Sequence, residues 1–121
     1  MSGRRRFRDR AVGTAEGMTL LTLAAAQLDE ARVSTAGRAS RTLHSGSRLR
    51  QTLIALTAGT KLNKHQSPGD ATVQCLQGHV TLHTRDREIG VGEGELADVP
   101  PEQHDLVADD DAVVILTVGV A

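Results

Sequence analysis

Short β-forming segments, each ended by turn residues, follow one another along most of the chain. They lie at 41–44, 50–56, 72–76, 79–83, 88–91, 96–99, 104–107 and 112–118. We expect 72–76 and 79–83 to pair as neighbouring strands joined at Gln77-Gly78. Because no second long helical pattern accompanies these segments, their regular spacing predicts an all-β fold, an antiparallel sandwich or barrel.

The first 47 residues differ from this pattern. Residues 1–17 are expected to form a disordered basic tail, and 18–47 a helix with a lead-in strand before a domain over 48–121. The helix is predicted over 22–33, with Thr22 as its N-cap. Its apolar face consists of residues at helical spacing, Leu20, Leu23, Gln27, Leu28 and Ala31.

The basic tail has the outline of a twin-arginine export signal, because Arg4-Arg5-Arg6-Phe7 precedes an apolar stretch that starts at Met18. Thr19 and Thr22 interrupt that stretch, so the helix is favoured over an export signal and a cytoplasmic location is predicted. Cys75 is the only cysteine, which excludes a disulfide framework and agrees with a reducing compartment. No segment is long and apolar enough to span a membrane, so no membrane partner is expected.

Charge is unevenly distributed, although the formal net charge is only -1. Five arginines lie in the first ten residues, whereas residues 86–111 hold ten acidic side chains and one base, Arg87. Arginine clusters can bind phosphates, but the acidic half argues against a surface that reads nucleic acid. No nucleic-acid partner is therefore expected.

The core must be built from aliphatic side chains, because Phe7 is the only aromatic residue and it lies in the tail. Leu, Val, Ile and Ala fill less volume per position than Phe or Trp. The composition therefore suggests that a sandwich of these strands leaves an internal cavity.

Two motifs of glycine, histidine and proline overlie the strands. Their members are Gly59, His65 and Gly78 in the first motif and Gly94, Pro100 and His104 in the second. Over roughly residues 48–119 this arrangement resembles a small single-domain cupin of the RmlC-like type, in a bacterial subgroup with a leading helix. The resemblance implies a jelly-roll barrel. It also implies an incomplete metal site, because Ser67 and Ala71 stand where the family's first motif has its second His and its Glu.

The resemblance further implies an internal pocket. Strand alternation places the first-motif residues on one side if the turn after Ser67 keeps the family's geometry. The predicted pocket residues are His65, Ser67, Ala71, Val73, Cys75 and His104. His65 and His104 are the candidate metal ligands. Because catalytic zinc and non-haem iron centres generally use three protein ligands, Cys75 or His44 would be the third donor.

Each of these residues also has a structural interpretation. Both candidate histidines could be held by hydrogen bonds to backbone or to Ser67, without a metal. Cys75 could be a small buried hydrophobe. His79 and His83 alternate with apolar residues and are expected to face solvent or a partner chain, and His44 to lie on the surface.

Two function classes follow, and the sequence leaves open whether the protein is an enzyme. The first is a small-molecule binding or sensing module with a degenerate metal site. The second is a metal-dependent enzyme of the oxygenase or isomerase type, using His65 and His104 with one divalent ion, Zn, Fe, Mn or Ni. The absence of ligands at Ser67 and Ala71 favours the first class.

A homodimer is also predicted. Small cupins commonly associate, and the chain offers β-rich edges. In addition, the apolar side chains Leu20, Leu23 and Leu28 need an apolar surface to cover them.

Overall fold

The computed structural model describes residues 17–65 and 69–120, except for the side chains of residues 64 and 65. This part of the chain contains one helix, α1 (Leu20–Val33), and nine strands. The strands are β1 (Arg38–Ser45), β2 (Leu49–Leu56), β3 (Lys61–His65), β4 (Ala71–Gln77), β5 (His79–His83), β6 (Glu88–Gly92), β7 (Leu96–Asp98), β8 (His104–Ala108) and β9 (Ala112–Gly119). Residues 1–16, which include the arginines of the predicted basic tail and of the export-like outline, lie outside the described residues.

The strands form two antiparallel sheets. The five-stranded sheet has the order β1-β2-β9-β4-β7, and the four-stranded sheet has the order β3-β8-β5-β6. All the strand pairs are antiparallel. The predicted class, mostly antiparallel β with one short helix, is therefore confirmed.

Aliphatic side chains fill the space between the two sheets. Each strand contributes alternate residues, as on β4, where Ala71, Val73 and Cys75 are buried and Gln74 is exposed. The buried residues that pack with them include Ile54, Leu56, Val80, Leu82, Val91, Leu106 and Val114. Among the described residues, this continuous apolar core contains no Phe, Tyr or Trp side chain.

A second apolar cluster joins α1 to the outer face of the five-stranded sheet. Ala24, Leu28 and Ala31 are buried there. Their partners on the sheet are Leu53, Ala55, Val113 and Ile115. Leu28 is thus covered by the chain's own sheet, and Leu20 and Leu23 are partly buried against it. These three leucines therefore give no reason for a partner chain, and the homodimer stays a prediction.

The helix begins earlier than the sequence predicted. Its first residue is Leu20 and Thr19 occupies the N-cap position, whereas Thr22 was expected to be the cap. The carbonyl of Thr19 accepts hydrogen bonds from the N–H groups of Thr22 and Leu23, each at 3.1 Å. Thr22 therefore lies inside the first turn, and extending the helix to Leu20 places that side chain against the sheet.

The predicted pairing of β4 with β5 is wrong. β4 pairs with β7 and β9, whereas β5 pairs with β6 and β8 in the other sheet. Gly78, between them, has a φ of +80°, and a Cβ at this position would overlap the carbonyl oxygen of Asp111. The glycine thus turns the chain from one sheet into the other, where a hairpin would have kept it in the same sheet.

The turn between β8 and β9, Asp109–Asp111, connects distant parts of the fold; we call it the aspartate turn. Asp111 Oδ1 accepts the backbone N–H of Ala58 at 2.9 Å, and its Oδ2 accepts two N–H donors of Arg32 on α1 at 3.0 and 3.1 Å. Asp109 Oδ2 accepts the hydroxyl of Thr81 at 2.6 Å and lies 2.6 Å from His79 Nδ1 on β5. The turn therefore ties the helix and the β2–β3 loop to the four-stranded sheet.

The carboxylates of Asp109 and Asp111, the first and last residues of the aspartate turn, are stabilised in their charged form. The N–H of Ala58 and the Arg32 guanidinium hold the pKa of Asp111 below its ordinary value of 3.8. The Thr81 hydroxyl, followed by His79, lowers the pKa of Asp109. These carboxylates stabilise the fold at neutral pH, and protonation removes that contribution.

Replacing Asp111 with alanine should lower the free energy of unfolding by about 1 kcal/mol, because two hydrogen-bonded contacts that solvent partly screens are lost. Since the folded pKa lies below 3.8, the loss should be complete above that value and should fade as the pH falls through the folded pKa. Urea unfolding at neutral and at strongly acidic pH measures both effects. Asp110→Ala is the matched control, because Asp110 is exposed and takes no part in these contacts. A loss that persists in acid would contradict this account.

Candidate functional site

His104 is the one histidine with a described side chain that lies in the interior. It starts β8 and is only 2 % exposed. Its Nδ1 lies 2.9 Å from the carbonyl oxygen of Glu102, so Nδ1 carries the proton and donates it. In the neutral imidazole the lone pair is then on Nε2. A backbone carbonyl that fixes the tautomer in this way is typical of histidines that bind metals or ligands through Nε2.

The backbone brings His65 to the position across from His104. Strand β3 pairs with β8, and the register shifts between Leu62 and His65, after which His65 is the partner of His104. The side chain of His65 and the whole of Ser67 lie outside the described residues. The register is therefore consistent with the predicted histidine pair at the level of the backbone, and their convergence stays a prediction.

The other predicted pocket residues lie on β4. Ala71, Val73 and Cys75 are all buried between the sheets. Val73 and His104 line the same small internal cavity, whereas Ala71 and Cys75 do not border it. Their roles as pocket residues stay predictions.

This interior cavity is small, about 20 Å³. It is lined by Ile54, Leu62, Val73, Leu82, Val99, His104, Leu106, Val114 and Leu116. A volume of this size holds about one water molecule. The internal cavity suggested by the aliphatic composition is therefore very small, and a larger molecule could enter only if the lining side chains moved.

A larger groove opens outside this cavity, between β1 and β2 of one sheet and β3 of the other; we call it the mouth groove. It has a volume of about 530 Å³. Its lining residues are Ala36, Arg38, Ala39, Ser40, Thr52, Ile54, Leu62 and Asn63. Ile54 and Leu62 border both the groove and the cavity, so they form the wall between solvent and the His104 side of the core.

The mouth groove was not among the sites predicted from the sequence. Two of its sides come from residues on β1 and β3, for which the sequence predicts only a short lead-in strand and an approach to the first motif. A signal was present in the polar residues Ser40 and Thr52. Ser40 is the register partner of the buried Ile54, and Thr52 is the register partner of Thr42.

Cys75 has the surroundings of a structural thiol. It is 0 % exposed, and its Sγ lies 3.2 Å from the carbonyl oxygen of Gln77 and 3.4 Å from that of Gly78. Burial, with smaller contributions from Glu93 and Glu95, raises the pKa of the thiol above 9.0, while the hydrogen bond to Gln77 acts in the opposite direction. The thiolate that a metal or an electrophile requires is therefore disfavoured.

The remaining histidines with described side chains lie outside the core. His44 is exposed on β1. His79 and His83 are partly exposed on the outer face of β5, where their Nδ1 atoms face Asp109 and Glu88. Among the side chains that the structure describes, no group of three His, Cys, Asp or Glu residues could hold a metal ion. A third donor for the histidine pair is thus not found in the described part of the site.

The sequence matches no protein-family model and no curated protein. The structure is similar to a conserved protein of unknown function from Streptococcus pyogenes, with a TM-score of 0.66 and 29 % identity over 73 % of this chain and 78 % of that one. It is also similar to a cupin superfamily protein from Desulfitobacterium hafniense, with a TM-score of 0.65 and 18 % identity over 69 % of this chain and 78 % of that one. Part of an enzyme has the same architecture, a salicylate 1,2-dioxygenase from Pseudaminobacter salicylatoxidans, with a TM-score of 0.67 and 16 % identity over 80 % of this chain and 33 % of that one.

These similarities show that the chain has the cupin fold, as the motif resemblance implied. Proteins with this fold include an enzyme as well as proteins of unknown function. Within the described residues, the single helix is too short to cross a membrane.

The environment of Cys75 gives a direct test of its role. The folded protein should react with iodoacetamide on the order of a hundredfold more slowly than the same chain in urea, because the thiol is buried and protonated. Since the pKa is raised, the rate for folded protein should increase only at a pH above 9.0. Alkylation followed by mass spectrometry across a pH series measures this. Rapid alkylation of the folded protein at neutral pH would show that Cys75 is a reactive thiol.

Proposed function

We propose that this chain is a small-molecule binding or sensing module whose ligand enters at the mouth groove and reaches inward towards His104. The observation that carries the proposal is the shared wall. Ile54 and Leu62 border the open groove on one side and the cavity beside His104 on the other. A rotation of the Leu62 side chain, which is only partly buried, would join the two spaces, and rotamer changes of this kind are rapid in partly exposed residues.

The lining of the mouth groove indicates which ligands it would accept. Among the lining residues whose side chains the structure describes, Arg38 is the only charged one, and Ser40, Thr52 and Asn63 add polar groups. Ile54 and Leu62 make its inner end apolar. This arrangement favours a small amphipathic anion, with its charge near Arg38 and its apolar part directed to the core.

Hexanoate is a suitable probe because it combines a carboxylate with a short apolar chain. We expect Arg38→Gln to weaken its binding about two- to fivefold, the effect of losing one exposed charge pair. Arg41→Gln is the matched control, because Arg41 lies on the same strand but pairs with Leu53, whose side chain faces the helix. Titration followed by NMR gives both affinities. Equal affinities for the two variants would exclude Arg38 as the anion-binding group.

The same titration tests how far the ligand penetrates. If hexanoate passes the Ile54 and Leu62 wall, the imidazole signals of His104 should shift on binding. The signals of His79 and His83, on the outer face of the other sheet, should stay constant and serve as internal controls. Binding without any change at His104 would restrict the site to the groove.

A metal-dependent enzyme is the second candidate function. It is supported by the register that pairs His65 with His104 and by the Nδ1 hydrogen bond that leaves the lone pair of His104 on Nε2. Two imidazoles are one donor short of the usual three protein ligands of a catalytic site. The described residues therefore do not fit a complete metal centre, and we assign no reaction to this site.

Metal content separates the two candidates. Protein purified without an affinity tag should contain no stoichiometric divalent metal, and the double variant Ser67→His, Ala71→Glu should bind zinc or manganese at least tenfold more tightly, because it raises the donors from two to four. His79→Ala is the control for adventitious binding at the outer face. Stoichiometric metal in the wild-type protein that is lost in both His65→Ala and His104→Ala would instead support the enzyme.

A further inference from the structure

The outer face of the four-stranded sheet carries a second large depression, on the side away from the core; we call it the outer cleft. Its volume is about 640 Å³. Its charged and titratable lining residues are Lys61, His83, Arg85, Asp86, Glu102 and Asp105. This cleft is separate from the mouth groove, and none of the site residues predicted from the sequence lines it.

Asp105 distinguishes this cleft from an ordinary charged surface. Its neighbours on β8, His104 and Leu106, face the core, so strand alternation directs Asp105 to the outer face. It is nevertheless only 7 % exposed. Its Oδ1 is buried and has no hydrogen-bond donor among the residues that the structure describes. A buried carboxylate oxygen without a donor is costly, because its hydration has been lost and nothing has replaced it.

The cationic side chains described next to Asp105, Lys61 and His83, do not satisfy this carboxylate. Lys61 Nζ is 3.8 Å from Asp105 Oδ2, beyond hydrogen-bond distance, and the lysine side chain is 53 % exposed. His83 is the register partner of Asp105 on β5, but its Nδ1 lies 3.5 Å from Glu88 Oε2. Lys61 thus acts as a loose counter-ion that an external cation could displace.

We propose that the outer cleft binds a small organic cation, a primary amine or a guanidine, whose N–H groups donate to Asp105. Such a ligand donates to Oδ2, the oxygen that is not enclosed and that only the distant Lys61 approaches, and it offsets the charge of a carboxylate that is nine-tenths buried. Asp86 and Glu102 are exposed, and at the rim they would attract a cation over a longer distance. This site is independent of the proposed interior function.

A metal ion fits this cleft less well. Divalent ions such as Ca²⁺ and Mg²⁺ take six or more oxygen ligands at short distances. Within the described residues no group of three candidate side chains is arranged to hold one. Directional N–H donors from an organic cation match a single deep carboxylate better than a spherical ion does.

The proposal is tested with agmatine, which carries both an amine and a guanidine. Calorimetric titration of the full chain should give saturable binding. Asp105→Asn should weaken it at least tenfold, because the buried charge is the main partner. Lys61→Met should tighten it severalfold, because the competing counter-ion is removed. Asp86→Asn is the matched control at the rim, where solvent screens the charge, and should change the affinity less than threefold.

Two kinds of result would overturn the proposal. One is absence of saturable agmatine binding to both the wild-type protein and Lys61→Met, or binding that Asp105→Asn leaves unchanged. The other is a dimer, seen by light scattering, that Asp105→Asn dissociates, because a side chain of a second copy would then cover the carboxylate. Should Asp105→Asn fail to fold, the other two variants provide the test. Agmatine affinity that rises in Lys61→Met and stays unchanged in Asp86→Asn would support the proposal, and an affinity unchanged in Lys61→Met would overturn it.

Discussion

Burial of β9 on both faces is the constraint on which the rest of this structure depends. The strand is hydrogen-bonded to β2 on one side and to β4 on the other. Val113 and Ile115 pack against the helix, while Val114 faces the four-stranded sheet. A polar side chain at any of these positions would be buried without a partner. This strand therefore fixes where the helix and the second sheet lie, and with them the mouth groove.

Much of the fold could be predicted from the sequence because local patterns determine it. Alternation on β4 and the turn residues between strands place most strands close to their observed bounds. The connection at Gly78 could not be predicted in this way, because a short link rich in turn residues serves equally for a hairpin and for a change of sheet. What decides it is the close approach of the Asp111 carbonyl, a contact between residues far apart in the chain.

The candidate site could be predicted only where local motif spacing determines it. The motif spacing indicated the neighbourhood of His104, which the structure places in the core with a fixed tautomer. The mouth groove and the outer cleft each combine residues from several strands, and neither leaves a compact sequence signature. Asp105 illustrates this best: its importance comes from burial on an outer face, and in the sequence it is one of many acidic residues in the second half.

The place of β9 in the sheet also has a consequence for biosynthesis. β2 and β4 are not bonded to each other, and each meets β9, which is translated after the other eight strands described. Until residues 112–119 leave the ribosome, both strands present an unpaired edge and the helix lacks part of its docking surface. A nascent chain arrested at that point would expose two unpaired strand edges at once, each able to pair with another chain. Pairing of β9 with β2 and β4 therefore removes the edges that would favour aggregation during synthesis.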